Sequence, residues 1–390
     1  MKVLLLTSPA PSWSPFFTGE KRPPLGVWSL IGTLRKAGHD VGFIDLYVED
    51  QELPPVSGYD YVGIYANTIC FDGTLRVLNE LRRRRAAGWK GKILVGGPHT
   101  TPQPESIPAW VDHVVQGEGE RAILDIVEGR EQRRLFRAER IPNLDDLARP
   151  SYDLIDRYQY STKFQAILQH VEPVFTMNTS RGCPRSCTFC SVGSVWGRRY
   201  TAQSSRRVVD DMAWLQRDFG ARGIYFREDE FTMVPKRVRG ICEKLVKADL
   251  GLTWMCEARC DSLEDPDLVK LMAAAGCRGL YIGVESGSDR MLTEVFNKGI
   301  TTDQIRKAFA HAHAAGILPI ASLLKQTGYE TAEDYRLTDA LLKEIRPAAA
   351  WHNPFTGIPY SPLYERMVKE KRYERIDSLG LLFPRLQVSK

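Results

Sequence analysis

Three thiols, Cys183, Cys187 and Cys190, lie within one loop, Arg181-Gly182-Cys183-Pro184-Arg185-Ser186-Cys187-Thr188-Phe189-Cys190. The C-x3-C-x2-C spacing lets all three face one metal centre. A structural zinc site takes four ligands, commonly as two C-x2-C pairs, so zinc here needs a fourth thiol from Cys256, Cys260 or Cys277. A [4Fe–4S] cluster ordinarily takes four thiolates. Held by three, it keeps one iron open to a substrate or cosubstrate.

The rest of the composition suits metal binding better than disulfides. Eight cysteines are spread over 390 residues, a chain too long to need staples. The apolar run after Met1 breaks at Ser8-Pro9, too short for an export signal, and no stretch approaches the ~18 apolar residues that span a bilayer. A cytoplasmic protein with reduced thiols and no membrane partner is expected. With 43% apolar and 26% charged residues, disordered and collagen-like chains are excluded. The net charge of +5 is modest. Arg82, Arg83, Arg84 and Arg85 follow Leu75, Val77, Leu78 and Leu81, so they fall at a helix C-terminus where cations suit the dipole. The basic stretch 130–140 has no aromatic series beyond Phe136, so no nucleic-acid partner is expected.

The elements that must position the thiols fall into two α/β sets. Residues 1–128 alternate strands at 2–7, 41–46, 61–65, 92–95 and 111–115 with helices at 24–36, 72–87 and around 122–126. This predicts a doubly wound, Rossmann-like parallel sheet whose ligand lies beyond the carboxyl ends of its strands. The loops there are 8–24, 67–73 and 96–104. They contain neither G-x-G-x-x-G nor G-x-x-x-x-G-K, which disfavours dinucleotides and nucleoside triphosphates. A polar, proline-punctuated stretch, 129–172, reads as a linker packing partly on both domains. Within 173–360, strands at 174–178, 223–226, 252–256, 280–284, 319–324 and 348–353 alternate with helices at 205–219, 235–248, 265–275, 302–315 and 332–345. Six β/α units make a partial (β/α)6 barrel with its site at the C-terminal strand ends. Those ends carry Arg227-Glu228-Asp229-Glu230-Phe231, Arg259-Cys260-Asp261 and Glu285-Ser286-Gly287. Carboxylates and an Arg in that position complement a zwitterion, or else pair with each other across the rim. Residues 361–390 read as a short helical tail.

Two resemblances follow from these residues. Pro23-Pro24-Leu25-Gly26, Gly38-His39-Asp40-Val41, Gly96-Gly97-Pro98-His99 and Gly117-Glu118-Gly119-Glu120, in that order, resemble the cobalamin-binding domain found N-terminal to many radical SAM barrels. The resemblance implies cobalamin contacts from Asn67, Gly96, Gly97, His99 and Thr100. The D-x-H-x-x-G motif of classical cobalamin domains has no counterpart in Ser8-Pro9-Ala10-Pro11-Ser12-Trp13, so a branch without a histidine lower ligand is implied. His99 and His113 are read as turn or surface residues.

The thiol loop, with Phe189 before the last Cys, resembles the radical SAM motif. That family holds a [4Fe–4S] cluster on the three Cys, chelates S-adenosylmethionine (SAM) at the open iron, and cleaves it to a 5′-deoxyadenosyl radical. The resemblance assigns Phe189, Glu228 or Asp229, Arg259, Glu285 and Ser286 to SAM. It also implies an external electron donor such as flavodoxin or ferredoxin, and a small-molecule or natural-product substrate. Two segments depart from the family pattern: Lys325-Gln326-Thr327-Gly328-Tyr329-Glu330-Thr331 and Ile358-Pro359-Tyr360-Ser361-Pro362-Leu363. The leading expectation is cobalamin-dependent methylation of an unactivated carbon. The second is a non-methylating radical SAM epimerase, dehydratase, deoxygenase or cyclase, in which Cys256 or Cys260 donates hydrogen. The third is an iron–sulfur or zinc-binding protein without catalysis.

Overall fold

The computed structural model describes residues 1–11, 21–49, 52–164 and 167–385, which form two compact units, Met1–Ser161 and Thr162–Lys390. The middle of the long first loop, with Ser12 and Trp13, lies outside the described residues.

The first unit is a six-stranded parallel sheet of β1 (Lys2–Thr7), β2 (Asp40–Ile44), β3 (Tyr61–Tyr65), β4 (Lys92–Gly96), β5 (His113–Gln116) and β6 (Leu135–Arg137), in the order β2-β1-β3-β4-β5-β6. The chain moves outward from β1 in both directions, which makes the β1/β3 boundary the topological switch point. The inner strands are near-continuous apolar runs because parallel strands are covered on both faces. Val3, Leu4, Leu5 and Leu6 are buried to 3% exposure or less. Helices α1 (Leu25–Lys36), α2 (Phe71–Ala86) and α3 (Gly119–Val127) supply the covering layers. The Ser29 hydroxyl on α1 donates to Glu120 on α3 at 2.7 Å, and a Cβ at Gly119 would come within 3.0 Å of Leu30. The Gly-Glu-Gly-Glu stretch therefore serves close helix–helix packing.

Strand β6 was not legible. Three residues amid charges show no alternation, and the strand exists because β5 offers it a free edge. The expected linker 129–172 is divided between the units. Its first part returns to the sheet domain: Tyr152 and Tyr160 pack edge-on against Trp28 at 5.6 and 5.5 Å. The Tyr160 hydroxyl donates to the buried Asp45 at 2.6 Å, whose other oxygen accepts from Thr7 at 2.7 Å. Residues from Thr162 onward belong to the second unit.

The second unit carries β7 (Val174–Met177), β8 (Gly223–Phe226), β9 (Thr253–Arg259), β10 (Cys277–Glu285), β11 (Leu318–Lys325) and β12 (Ala349–Pro354), all parallel and hydrogen-bonded in sequence order. Between them run α4 (Ser205–Phe219), α5 (Pro235–Ala248), α6 (Pro266–Ala274), α7 (Thr302–Ala314) and α8 (Ala332–Ile345), which completes the partial (β/α)6 barrel. Strand alternation sorts its side chains. Phe226, Trp254, Cys256 and Leu280 face the helices and are fully buried. Tyr225, Met255 and Ile320 point the other way, onto a floor of Phe164, Ile167 and Val171. Glycine is required where that floor meets the strands. A Cβ at Gly279 would sit 2.7 Å from Ile167, and one at Gly223 3.0 Å from Phe164. The 361–390 segment holds the expected helix, α9 (Pro362–Glu370), and in addition an antiparallel ribbon, Tyr373–Ile376 with Leu382–Pro384.

Candidate functional site

The thiol loop leaves the C-terminal end of β7 and is tied down by its backbone rather than by its sulfurs. Ser180–Arg181 pairs with Thr201–Ala202 across its base. Gly182 has φ +80, a left-handed value that favours glycine, and its N–H donates to the Asp229 carboxylate at 3.0 Å. The Thr188 N–H donates to Phe296 O and its carbonyl accepts from Leu363 N, both at 2.8 Å. Asn297 Nδ2 donates to Ser186 O at 3.2 Å. Phe296 and Asn297 follow a π-helical turn, Met291–Val295, a rare distortion that recurs at functional sites.

Cys183, Cys187 and Cys190 are half-buried free thiols on this loop. Burial pushes the Cys183 thiol up and the Cys190 thiol to about 11; a bound metal reverses this by deprotonating its ligands. Among the described residues no three His, Cys, Asp or Glu side chains close on one ion. Three thiols on one loop are a donor set that fits a [4Fe–4S] cluster with one iron left open. Arg259 supplies an outer contact: its Nη1 lies 3.7 Å from Cys187 Sγ.

Three successive carboxylates follow β8, and each has a different environment. Glu228 is buried and saturated by the β7 end: it accepts from Thr179 N at 3.1 Å, from Thr179 Oγ1 at 2.8 Å and from the Ser180 hydroxyl. Burial raises its carboxyl. Asp229 holds Gly182. Glu230, which sequence reasoning passed over, is 1% exposed, and its Oε1 has no hydrogen-bond partner. Its Oε2 faces Arg185 and Arg259 at 4.0 Å and Cys183 Sγ at 3.9 Å. Burial pushes its carboxyl up to about 7. An unpartnered buried oxygen is the signal, and it is invisible in sequence, where the three acids look alike.

The remaining strand-end residues are less free than the sequence suggests. Burial opposes the charge on Arg259, but its fork on Asp261 (3.0 and 3.3 Å) outweighs this and holds the guanidinium above its ordinary range. It also donates to Lys298 O at 2.7 Å, so it braces the thiol loop instead of standing open to a carboxylate. Glu285 takes a left-handed φ of +60 and accepts from the buried Lys298 ammonium at 2.7 Å. That ammonium lies 5.8 Å from the Phe189 ring centroid, and Phe189 meets Phe296 edge-on at 5.5 Å. The Ser286 hydroxyl turns inward, accepting from Ser288 N at 3.2 Å and facing Thr338 at 3.4 Å. Cys256 points into the strand–helix core, where burial and the thiols of Cys277 and Cys242 surround it, so register removes it as a hydrogen donor to the barrel interior. Cys260 is fully buried against Gly283 O. The divergent turn after β11 is self-sufficient. The Glu330 carboxylate accepts from Thr327 N at 2.9 Å, and Thr331 caps α8.

In the first unit, the loops after β3 and β4 bring Asn67, Gly96, Gly97, His99 and Thr100 together at the strand ends. Asn67 caps the next turn through Ile69 N at 3.0 Å. Gly97 has φ +120, and a Cβ there would lie 2.6 Å from Ala66 O. The Thr100 hydroxyl reaches Gly97 O (3.0 Å) and Val115 O (2.9 Å). Gly97 thus packs closely on the fully buried Ala66, and the partly exposed Gly96 and Gly97 present bare backbone at the strand ends, a surface that fits a broad, flat macrocycle. His99 stacks on Phe71 at 3.8 Å, with its nitrogens on Thr68 (3.2 Å) and Ser106 (2.9 Å). His113 bonds Arg133 O at 3.0 Å, and His39 lies 3.5 Å from Glu128. All three histidines of this unit have partners within the protein.

Burial holds His99 at about 4, below its ordinary 6.5. Between those values the unfolded chain takes up a proton that the folded one refuses, so stability falls as pH drops from 6.5 towards 4. The loss is on the order of 3 kcal/mol by pH 4. His99→Gln is expected to flatten that acid limb in denaturant unfolding followed at several pH values; an unaltered slope would remove His99 as its cause.

The B12 binding domain model matches residues 18–127, and the Radical SAM superfamily model matches residues 177–337. The chain is 29% identical to an uncharacterised methyltransferase of Pyrococcus horikoshii, over all of this chain and 90% of that protein. It is 28% identical to the anaerobic magnesium-protoporphyrin IX monomethyl ester cyclase of Rubrivivax gelatinosus, over 88% of this chain and 66% of the cyclase. Its fold resembles that of the radical SAM methyltransferase TsrM from Kitasatospora setae, solved with cobalamin and a [4Fe–4S] cluster (TM-score 0.71, 18% identity, 97% of this chain and 79% of the other). A parallel sheet matching the B12 binding domain, followed by a six-unit barrel whose first loop carries the three thiols, makes the chain a radical SAM enzyme with an N-terminal cobalamin-binding-type domain.

Proposed function

We propose that this enzyme methylates an unactivated carbon of a small molecule. The observation that carries the reading is the tandem of a B12 binding domain and a radical SAM barrel in one chain, with a relative named as a methyltransferase that aligns over the whole of it. When bound, the cluster supplies the electron that cleaves SAM, and cobalamin supplies a carrier for the methyl group. The chain's own residues hold and orient. Cys183, Cys187 and Cys190 bind the cluster. Glu230 Oε1 accepts from the SAM ammonium, Phe189 and the Glu285–Lys298 pair border the nucleoside, and Arg259 fixes the Cys187 sulfur. Gly96 and Gly97 support the corrin, and Thr100 fixes their loop through Gly97 O and Val115 O. The electron comes from an external donor such as flavodoxin or ferredoxin, and the exposed Arg198 and Arg199 beside the thiol loop suit an acidic one. Work in the cytoplasm suits reduced thiols, and no described helix is long and apolar enough to cross a membrane.

The test is purification after cobalamin-replete expression, followed by anaerobic cluster reconstitution. Stoichiometric retained cobalamin is expected, with both S-adenosylhomocysteine and 5′-deoxyadenosine formed from SAM under reducing conditions. The cyclase relative favours the non-methylating reading. Protein that forms 5′-deoxyadenosine but neither retains cobalamin nor forms S-adenosylhomocysteine would establish it.

A further inference from the structure

Beyond the thiol loop, the barrel interior contains a polar set that the SAM reading does not use. Glu257 on β9 lies directly opposite Tyr281 on β10, and both share the inward face with Tyr225. The Tyr225 hydroxyl donates to Glu257 Oε1 at 3.2 Å. Asn353 Nδ2 on β12 donates to Ser322 Oγ on β11 at 3.2 Å, and Tyr281 bonds to the same pair. Tyr225 is part of the apolar floor cluster with Phe164, and Tyr281 and Trp351 pack against it, so the polar set lies above a sealed base. The indole Nε1 of Trp351 is buried with no partner.

Burial and the nearby carboxylates of Asp229 and Glu228 oppose a charge on Glu257, while Arg227 favours it. A half-buried carboxylate with a single neutral donor is under-compensated, and a cation supplied by a ligand corrects that. The ring faces of Tyr225, Tyr281 and Trp351 also attract cations. We propose that Glu257 is the anchor of a substrate subsite for a small molecule bearing a protonated amine, with Tyr225 orienting the carboxylate. The assignment of this subsite to the substrate rests on the radical SAM reading; its ligand class is read separately.

The probes are phenethylammonium and its neutral isostere 2-phenylethanol, titrated against the cluster-reconstituted full chain by ligand-observed NMR. Wild type is expected to bind the amine at least about tenfold more tightly, as a single desolvated ion pair implies. Glu257→Gln is expected to lose the preference and Glu257→Asp, which keeps the charge, to retain it in part. Circular dichroism shows that each variant is folded. Equal binding of the two probes by wild type, a preference that persists in Glu257→Gln, or a Glu257→Gln variant that weakens SAM as strongly as the amine would overturn the proposal. A wild-type protein that prefers the amine but never cleaves SAM would overturn the radical SAM reading and leave the cation subsite standing.

Discussion

Replacing any one of Cys183, Cys187 and Cys190 by Ala is expected to remove the cluster chromophore and to lower reductive SAM cleavage by well over 100-fold. Removing even an outer partner of a metal site costs about 10–100-fold, so losing one of three inner ligands must cost more. No spare thiol can substitute. Cys256 and Cys277 on the strands and Cys242 on α5 are fully buried in the strand–helix core, and Cys260 is buried against Gly283. The fold should survive, because the loop is held by the Thr188–Phe296, Leu363–Thr188 and Gly182–Asp229 bonds, none of which involves sulfur. Unfolding curves of the apoproteins should therefore coincide with wild type while iron content and 5′-deoxyadenosine collapse. Cys187→Ala has a further signature, since it also strips Arg259 Nη1 of its sulfur contact. A Cys187→Ala protein that keeps four irons and full SAM cleavage would overturn the ligand assignment.

The barrel was legible because its signals are long and periodic. Helices of 13 to 15 residues such as α4, α7 and α8 carry apolar stripes and capping residues, Ser204, Thr301 and Thr331, at the expected starts. The thiol loop was legible because metal chemistry demands a fixed spacing. What the sequence concealed depends on tertiary environment. Strand β6 forms on an offered edge, the ribbon 373–384 folds back on charged residues, and the stretch from Gly129 to Ser161 closes the first domain through Tyr152, Tyr158 and Tyr160 rather than linking. The roles within Glu228, Asp229 and Glu230 were equally hidden, since neighbouring acids on a loop differ only in what surrounds them once folded. Arg259 was placed at the right strand end, yet its partners, Asp261, Lys298 O and Cys187, are set by a turn that no local pattern encodes.

That difference among the three acids gives a crossed prediction. Glu230→Gln is expected to weaken SAM binding by about 10- to 100-fold, the value of losing a hydrogen bond to a charged group. The fold should suffer little, because one carboxylate oxygen has no partner in the protein, the Arg185 and Arg259 contacts of the other are long at 4.0 Å, and an amide avoids the desolvation of a buried charge. Its melting temperature should stay close to that of wild type. Glu228→Gln should show its effect in the melt. Its carboxylate accepts from Thr179 N, Thr179 Oγ1 and Ser180 Oγ, and an amide can satisfy only part of that set, at a cost of about 1–3 kcal/mol and several degrees in Tm. Calorimetric titration with SAM and thermal unfolding on the same two proteins separate the roles. If Glu228→Gln weakens SAM more than Glu230→Gln does, the ammonium partner is Glu228, and the unpartnered oxygen of Glu230 belongs to some other ligand of the thiol loop.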